Sequence, residues 1–81
     1  MTIKVQIIYS KQAVKAIDRI NNPLKKHLKE AIEKLPLGDV KKLKGYSNSY
    51  RLRVGDYRIL YDLTERIEIT DILPRGSAYK N

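Results

Sequence analysis

The chain has 81 residues, 17 Lys+Arg against 9 Asp+Glu, a formal net charge of +8 and no cysteine. Those numbers allow one small domain, residues 1–81, and exclude disulfides, thiolate nucleophiles and cysteine-ligated metals. The positive excess points to a polyanionic partner, with a solvated lysine-rich surface as the alternative.

No apolar run approaches the ~20 residues needed to span a bilayer. Met1 to Tyr9 is too short and too interrupted for a signal peptide. A soluble protein that stays in the cytoplasm, with no membrane partner, is therefore expected.

Ile3, Val5, Ile7 and Tyr9 alternate with Lys4, Gln6 and Ile8, which predicts an opening strand. Ser10 stands where a helix N-cap belongs, and Ala13, Ala16, Ile17 and Ile20 follow as one apolar stripe. Asn22-Pro23 separates this helix from a second, with Asn22 expected as its cap and Pro23 in its first turn. Leu24, Leu28, Ala31, Ile32 and Leu35 continue the helical period, and Pro36 and Gly38 end it. So tight a joint predicts a helical hairpin.

Asp39 to Asn48 reads as a basic connection carrying Lys41, Lys42, Lys44 and Gly45. From Ser49 the period becomes two. Tyr50, Leu52 and Val54 alternate with Arg51 and Arg53. After Gly55-Asp56, Tyr57, Ile59, Tyr61 and Leu63 alternate with Arg58, Leu60 and Asp62. A last strand runs roughly from Arg66 to Leu73 before Pro74. The predicted order is β-α-α-β-β-β, an α+β fold with the helices on one face of an antiparallel meander.

A two-residue turn at Gly55-Asp56 pairs Val54 with Tyr57, Arg53 with Arg58, Leu52 with Ile59, Arg51 with Leu60 and Tyr50 with Tyr61. The apolar members then lie under the helices. Arg51, Arg53 and Arg58 share the open face, with Arg53 directly across from Arg58. Like charges so placed destabilise a strand pair. Converging guanidinium groups suit a phosphate, because each stays charged and gives bidentate hydrogen bonds. The competing reading is a solvated strand face paired with Asp62, Glu68 or Asp71.

No metal site or nucleophile competes. His27, the only histidine, stands among lysines and reads as a surface residue, and the carboxylates lack a metal-ligating spacing. Catalysis without metal or cofactor is expected. Of the six tyrosines, Tyr9, Tyr50, Tyr57 and Tyr61 fit the core and Tyr46 is ambiguous. Tyr79 lies beyond the last strand between Arg75 and Lys80, where no core pattern requires an aromatic.

The blocks Val5-Gln6-Ile7-Ile8-Tyr9-Ser10-Lys11, Asp39-Val40-Lys41-Lys42-Leu43-Lys44-Gly45, Tyr50-Arg51-Leu52-Arg53-Val54-Gly55-Asp56-Tyr57-Arg58-Ile59-Leu60-Tyr61 and Pro74-Arg75-Gly76-Ser77-Ala78-Tyr79-Lys80 resemble the RelE/ParE superfamily of type II toxins. The resemblance spans nearly the whole chain, and the block from Tyr50 to Arg58 is the most specific. It implies a microbial-ribonuclease-like fold, a cognate antitoxin partner and cleavage of mRNA in the ribosomal A site. By position, it implies that Arg51, Arg53, Arg58, Arg75 and Tyr79 form the catalytic set. Lys41, Lys42, Lys44 and Lys80 would add contacts to RNA phosphates. ParE-type members share the fold, poison DNA gyrase and generally lack that complete set. A basic RNA-binding module without chemistry is the third reading. Some RelE-type enzymes carry lysines where this chain has Arg51 and Arg53. An arginine barely gives up a proton, so neither is suited to be the general base.

Overall fold

The computed structural model describes residues 6–74. Its elements are β1 (Ile7–Tyr9), α1 (Lys11–Asp18), α2 (Leu24–Glu33), β2 (Asp39–Lys42), β3 (Ser49–Val54), β4 (Tyr57–Leu63) and β5 (Ile67–Pro74). One five-stranded sheet runs in the order β1-β5-β4-β3-β2. β1 lies parallel to β5, and the other neighbours are antiparallel.

The α+β class, the paired helices and the meander agree with the sequence reading. The meander has one strand more than the sequence pattern suggests. Asp39–Lys42 is a strand, not a connection, and pairs with β3 from Asp39↔Arg53 to Lys42↔Tyr50. Val40 is its only apolar residue and is half-buried against the core. One inward side chain in four residues leaves no readable alternation. Charged edges are nonetheless common, because they discourage further strand pairing. β2 is held by its partner strand and by little propensity of its own.

Ser10 caps α1 as its side chain suggests. Its Oγ accepts from the Ala13 amide at 3.0 Å and donates to the Thr70 carbonyl at 2.9 Å. The Ser10 amide donates to the Ile69 carbonyl at 2.9 Å. One residue therefore starts α1 and fastens it to β5. Asn22 does not cap α2, which begins at Leu24 with Pro23 in the cap position and no side-chain cap bond. Leu24, at the start of that stripe, is 37% exposed.

Ala13, Ile17 and Ile20 of the first stripe and Leu28, Ile32 and Leu35 of the second enter one buried cluster. Leu52, Val54, Ile59, Tyr61, Ile67, Ile69 and Ile72 complete it from the sheet. Ile7, Tyr9, Tyr50 and Tyr57 pack around its margin. Tyr50 and Tyr61 stack with centroids 5.6 Å apart and planes 17° from parallel, a favourable offset geometry for paired rings.

Gly38 turns the chain from the helices into β2 with φ +118°. A Cβ there would approach Leu52 Cδ1 to 3.0 Å. Gly38→Ala is therefore expected to destabilise by about 1–3 kcal/mol through backbone strain alone. Ile59→Ala, emptying a fully buried site, should cost about 2–5 kcal/mol. Urea unfolding of both variants checks the order.

Burial raises the Tyr61 phenol above its ordinary value of 10.0, and the neighbouring Tyr50 adds to the rise. The folded state thus resists ionisation that the unfolded chain accepts. The stabilisation is complete below pH 10 and is lost as pH rises through the elevated folded value. Urea midpoints measured across the alkaline range should fall less steeply in Tyr61→Phe than in the parent.

A cationic hollow on the open sheet face

The β3–β4 register is the one the turn predicts: Val54↔Tyr57, Arg53↔Arg58, Leu52↔Ile59, Arg51↔Leu60 and Tyr50↔Tyr61. Gly55 has φ +56° and Asp56 is not left-handed, the arrangement of a two-residue turn with glycine in its first central position. Because side chains alternate along a strand, Leu52 and Ile59 point to the helices. Arg51, Arg53 and Arg58 then share the opposite face.

The β2–β3 pairing adds to this array. Lys41 stands beside Arg51 in register. Lys41, Lys42, Lys44, Arg51 and Arg58 line one surface hollow of ≈ 360 Å³, with Leu43 as the only other lining residue among the described residues. Among the described residues no carboxylate lines it. Three lysines expected to lie in a connection are thus brought to two of the arginines, and a paired strand positions the first two. The Nε and Nη1 atoms of Arg58 are shielded from solvent. The Arg51 side chain is 13% exposed.

Arg53 departs from this group. It is exposed, and it lines a separate hollow between α2 and the β3–β4 turn, together with His27, Lys34, Asp39 and others. His27 therefore shares a hollow with Arg53, a proximity the sequence pattern does not reveal. Arg75, Tyr79 and Lys80 lie outside the described residues.

The acids that a solvated-face reading offers as partners are engaged elsewhere. Asp62 accepts from Ser49 Oγ at 2.6 Å, Asp71 accepts from Gln12 at 2.8 Å, and Glu68 pairs with Arg66 at 3.4 Å. Arg51 instead meets Asp39, with its Nη1 3.8 Å from Oδ1 and donating to the Asp39 carbonyl at 3.3 Å. That contact is long and Asp39 is largely exposed, so it offsets little of the clustered charge. Among the described residues no group of three or more His, Cys, Asp or Glu side chains is placed to hold a metal. No described helix is long and apolar enough to cross a membrane.

Known proteins share both the sequence and the architecture. The family described as "ParE toxin of type II toxin-antitoxin system, parDE" matches residues 7–79. Toxin RelE3 of Methanocaldococcus jannaschii is 32% identical over 93% of this chain and 96% of its own. The chain belongs to the RelE/ParE family of type II toxins. The crystal structure of a RelB-RelE antitoxin-toxin complex from Methanococcus jannaschii contains a chain similar to this toxin. The two superpose with a TM-score of 0.75 at 34% identity, over 89% of this chain and 94% of that one. A RelE-RelB complex from Pyrococcus horikoshii gives 0.73 at 29% identity, covering 93% and 99%. Family membership thus agrees with the sequence reading, and these relatives fall on its RelE side.

The facing pair Arg53↔Arg58 makes a direct prediction about stability. Replacing a like-charge cross-strand pair by an opposite-charge pair should help folding. Arg53→Glu is expected to stabilise the toxin by roughly 0.2–1 kcal/mol, read as a higher urea midpoint with an unchanged slope. A lower midpoint would show that the arginines do not repel.

Proposed function

We propose that this toxin is a ribosome-dependent endoribonuclease that cleaves mRNA and so arrests translation. The observation that carries the reading is the hollow that, among the described residues, is lined by five cations and no acid. Such crowding works against folding and favours a phosphate backbone. The match to RelE toxins in sequence and structure supports the same conclusion.

The chemistry is attack of an RNA 2′-hydroxyl on the adjacent phosphorus, with departure of the 5′-oxygen. Arg58 and Arg51 hold the phosphoryl oxygens as charge builds on them, the largest contribution in reactions of this class. Arg53, directly across from Arg58, approaches the same phosphate or the next along the strand. Lys41, Lys42 and Lys44 grip flanking phosphates. Arg75 is assigned to the phosphate or leaving oxygen, Tyr79 to base stacking or proton removal, and Lys80 to the RNA backbone, all three by family position. No metal or cofactor takes part in this scheme.

Proton transfer is the weak part of such a site, since its assigned groups are mainly guanidinium and ammonium. Substrate positioning must therefore supply much of the acceleration, and in-line geometry is worth several kcal/mol. The ribosomal A site would present the mRNA already bent, which places the toxin's action in the cytoplasm. RelE-type chains of known structure occur in complexes with RelB antitoxins. We assign this chain a cognate antitoxin whose acidic or amphipathic segment covers the cationic face or displaces the Arg75–Tyr79 tail.

The deciding comparison is cleavage of one mRNA with and without programmed ribosomes at equal toxin concentration. Strong cleavage only in the ribosomal lane is expected. Absence of cleavage in both lanes, with DNA damage in cells, would replace this reading with gyrase inhibition. Arg58→Ala should lower ribosomal cleavage at least ~100-fold while retaining the parent circular-dichroism spectrum. Full cleavage by that folded variant would remove Arg58 from the mechanism.

A further inference from the structure

The loop between β2 and β3 carries the most exposed aromatic among the described residues. Tyr46 is 63% exposed, while Tyr61 is buried and Tyr9, Tyr50 and Tyr57 pack against the core. The only ring stack among the described residues is Tyr50 on Tyr61. Single exposed apolar side chains are common on protein surfaces, so exposure alone assigns no role to Tyr46. Its placement does.

The loop leaves the sheet at the cationic hollow and is tied at its base. The Leu43 amide donates to the Ser49 carbonyl at 2.9 Å, one step beyond the Lys42↔Tyr50 pair. The Asn48 carbonyl accepts from the Leu63 amide at 2.8 Å, and Ser49 Oγ donates to Asp62 at 2.6 Å. The tip is therefore Lys44-Gly45-Tyr46-Ser47-Asn48. Gly45 turns it with φ +83°, where a side chain would be strained. Lys44 lines the hollow. Two Cα steps, at most ~7.6 Å, separate it from Tyr46. That is about the reach from a backbone phosphate held in the hollow to the base on its own or the neighbouring nucleotide.

We propose that Tyr46 is a stacking platform for an unpaired RNA base flanking the phosphate held in the cationic hollow. This rests on the RNA reading above and adds a base-contacting position to a site otherwise made of phosphate contacts. The hollow supplies charge, which carries no sequence information. An aromatic face within a nucleotide's reach of it would hold the strand by stacking, set which nucleotide is presented, and tolerate several bases. Tyr46 is a positioning residue in this scheme, with no part in bond making.

The chain contains no tryptophan, so Tyr46→Trp places a single indole at the loop tip as a reporter. The probe is a 2′-O-methyl RNA heptamer, which offers no 2′-hydroxyl for cleavage. An abasic heptamer with the same phosphates is the control, and both are titrated at low salt. The heptamer should quench the indole saturably, with a midpoint equal to that from fluorescence anisotropy of labelled heptamer. The abasic control should bind with little quenching.

Tyr46→Ala should weaken heptamer binding roughly five- to a hundredfold, with the salt dependence unchanged because no phosphate contact is lost. Tyr46→Phe should bind within twofold of the parent. Heptamer bound without quenching, or equal quenching by the abasic control, would overturn the stacking role while leaving the hollow as an RNA site. It would leave the tyrosine to another contact such as a protein partner. No binding of either heptamer would overturn this inference and leave the RNA reading to the comparison with and without ribosomes.

Discussion

The two-residue turn at Gly55-Asp56 is the constraint on which the site depends. With Gly55 at φ +56°, the chain reverses in the fewest residues a hairpin allows, and only one register then closes. That register puts Leu52 and Ile59 side by side in the core and Arg53 and Arg58 side by side outside it. Slipping by one residue would bury guanidinium groups and expose the most buried side chains of the sheet. The hydrophobic effect on one face therefore fixes the repulsive geometry on the other. Arg53 and Arg58 are register partners because the core leaves them no alternative register, although Arg53 lines a separate hollow.

The second half of the site comes from an edge strand with little affinity for being one. β2 contributes Lys41 and Lys42, and the loop that follows contributes Lys44. Pairing Lys41 next to Arg51 adds like charge where charge is already dense. Ser10 and the meander hydrogen bonds supply the rigidity against which this repulsion is held. A preorganised positive surface of this kind loses little to reorganisation when an anion arrives, which is how fixed charge becomes useful in catalysis. In the proposed reading, the family's antitoxin meets the same surface, so neutralisation and substrate binding compete for one set of charges.

The hairpin was legible because its turn and its alternation are both local, and the positions of Arg51, Arg53 and Arg58 followed from counting. The helical stripes were legible for the same reason, down to the Ser10 cap. β2 was not, since a strand stabilised by its neighbour leaves one inward residue, Val40, and no period. For that reason the convergence of Lys41, Lys42 and Lys44 on Arg51 and Arg58 could not be read from spacing. The same missing strand hid that Tyr46 stands two residues from Lys44, which lines the hollow. The separation of Arg53 towards His27 was likewise hidden, because it depends on how α2 lies over the β3–β4 turn. Asn22 had the right chemistry for a cap, but the helix begins after Pro23. Arg75 and Tyr79 rest on family position alone.

In the proposed function the cationic hollow between β2, β3 and β4, which no described carboxylate lines, holds the phosphate to be cleaved. The most direct measurement is a structure of the toxin on a programmed ribosome whose mRNA carries a 2′-O-methyl group at the cleavage position. One backbone phosphate should lie within hydrogen-bond reach of Arg58 and Arg51, with the lysines of β2 along the flanking phosphates. A toxin bound through its helices, with the hollow turned away from the mRNA, would contradict it.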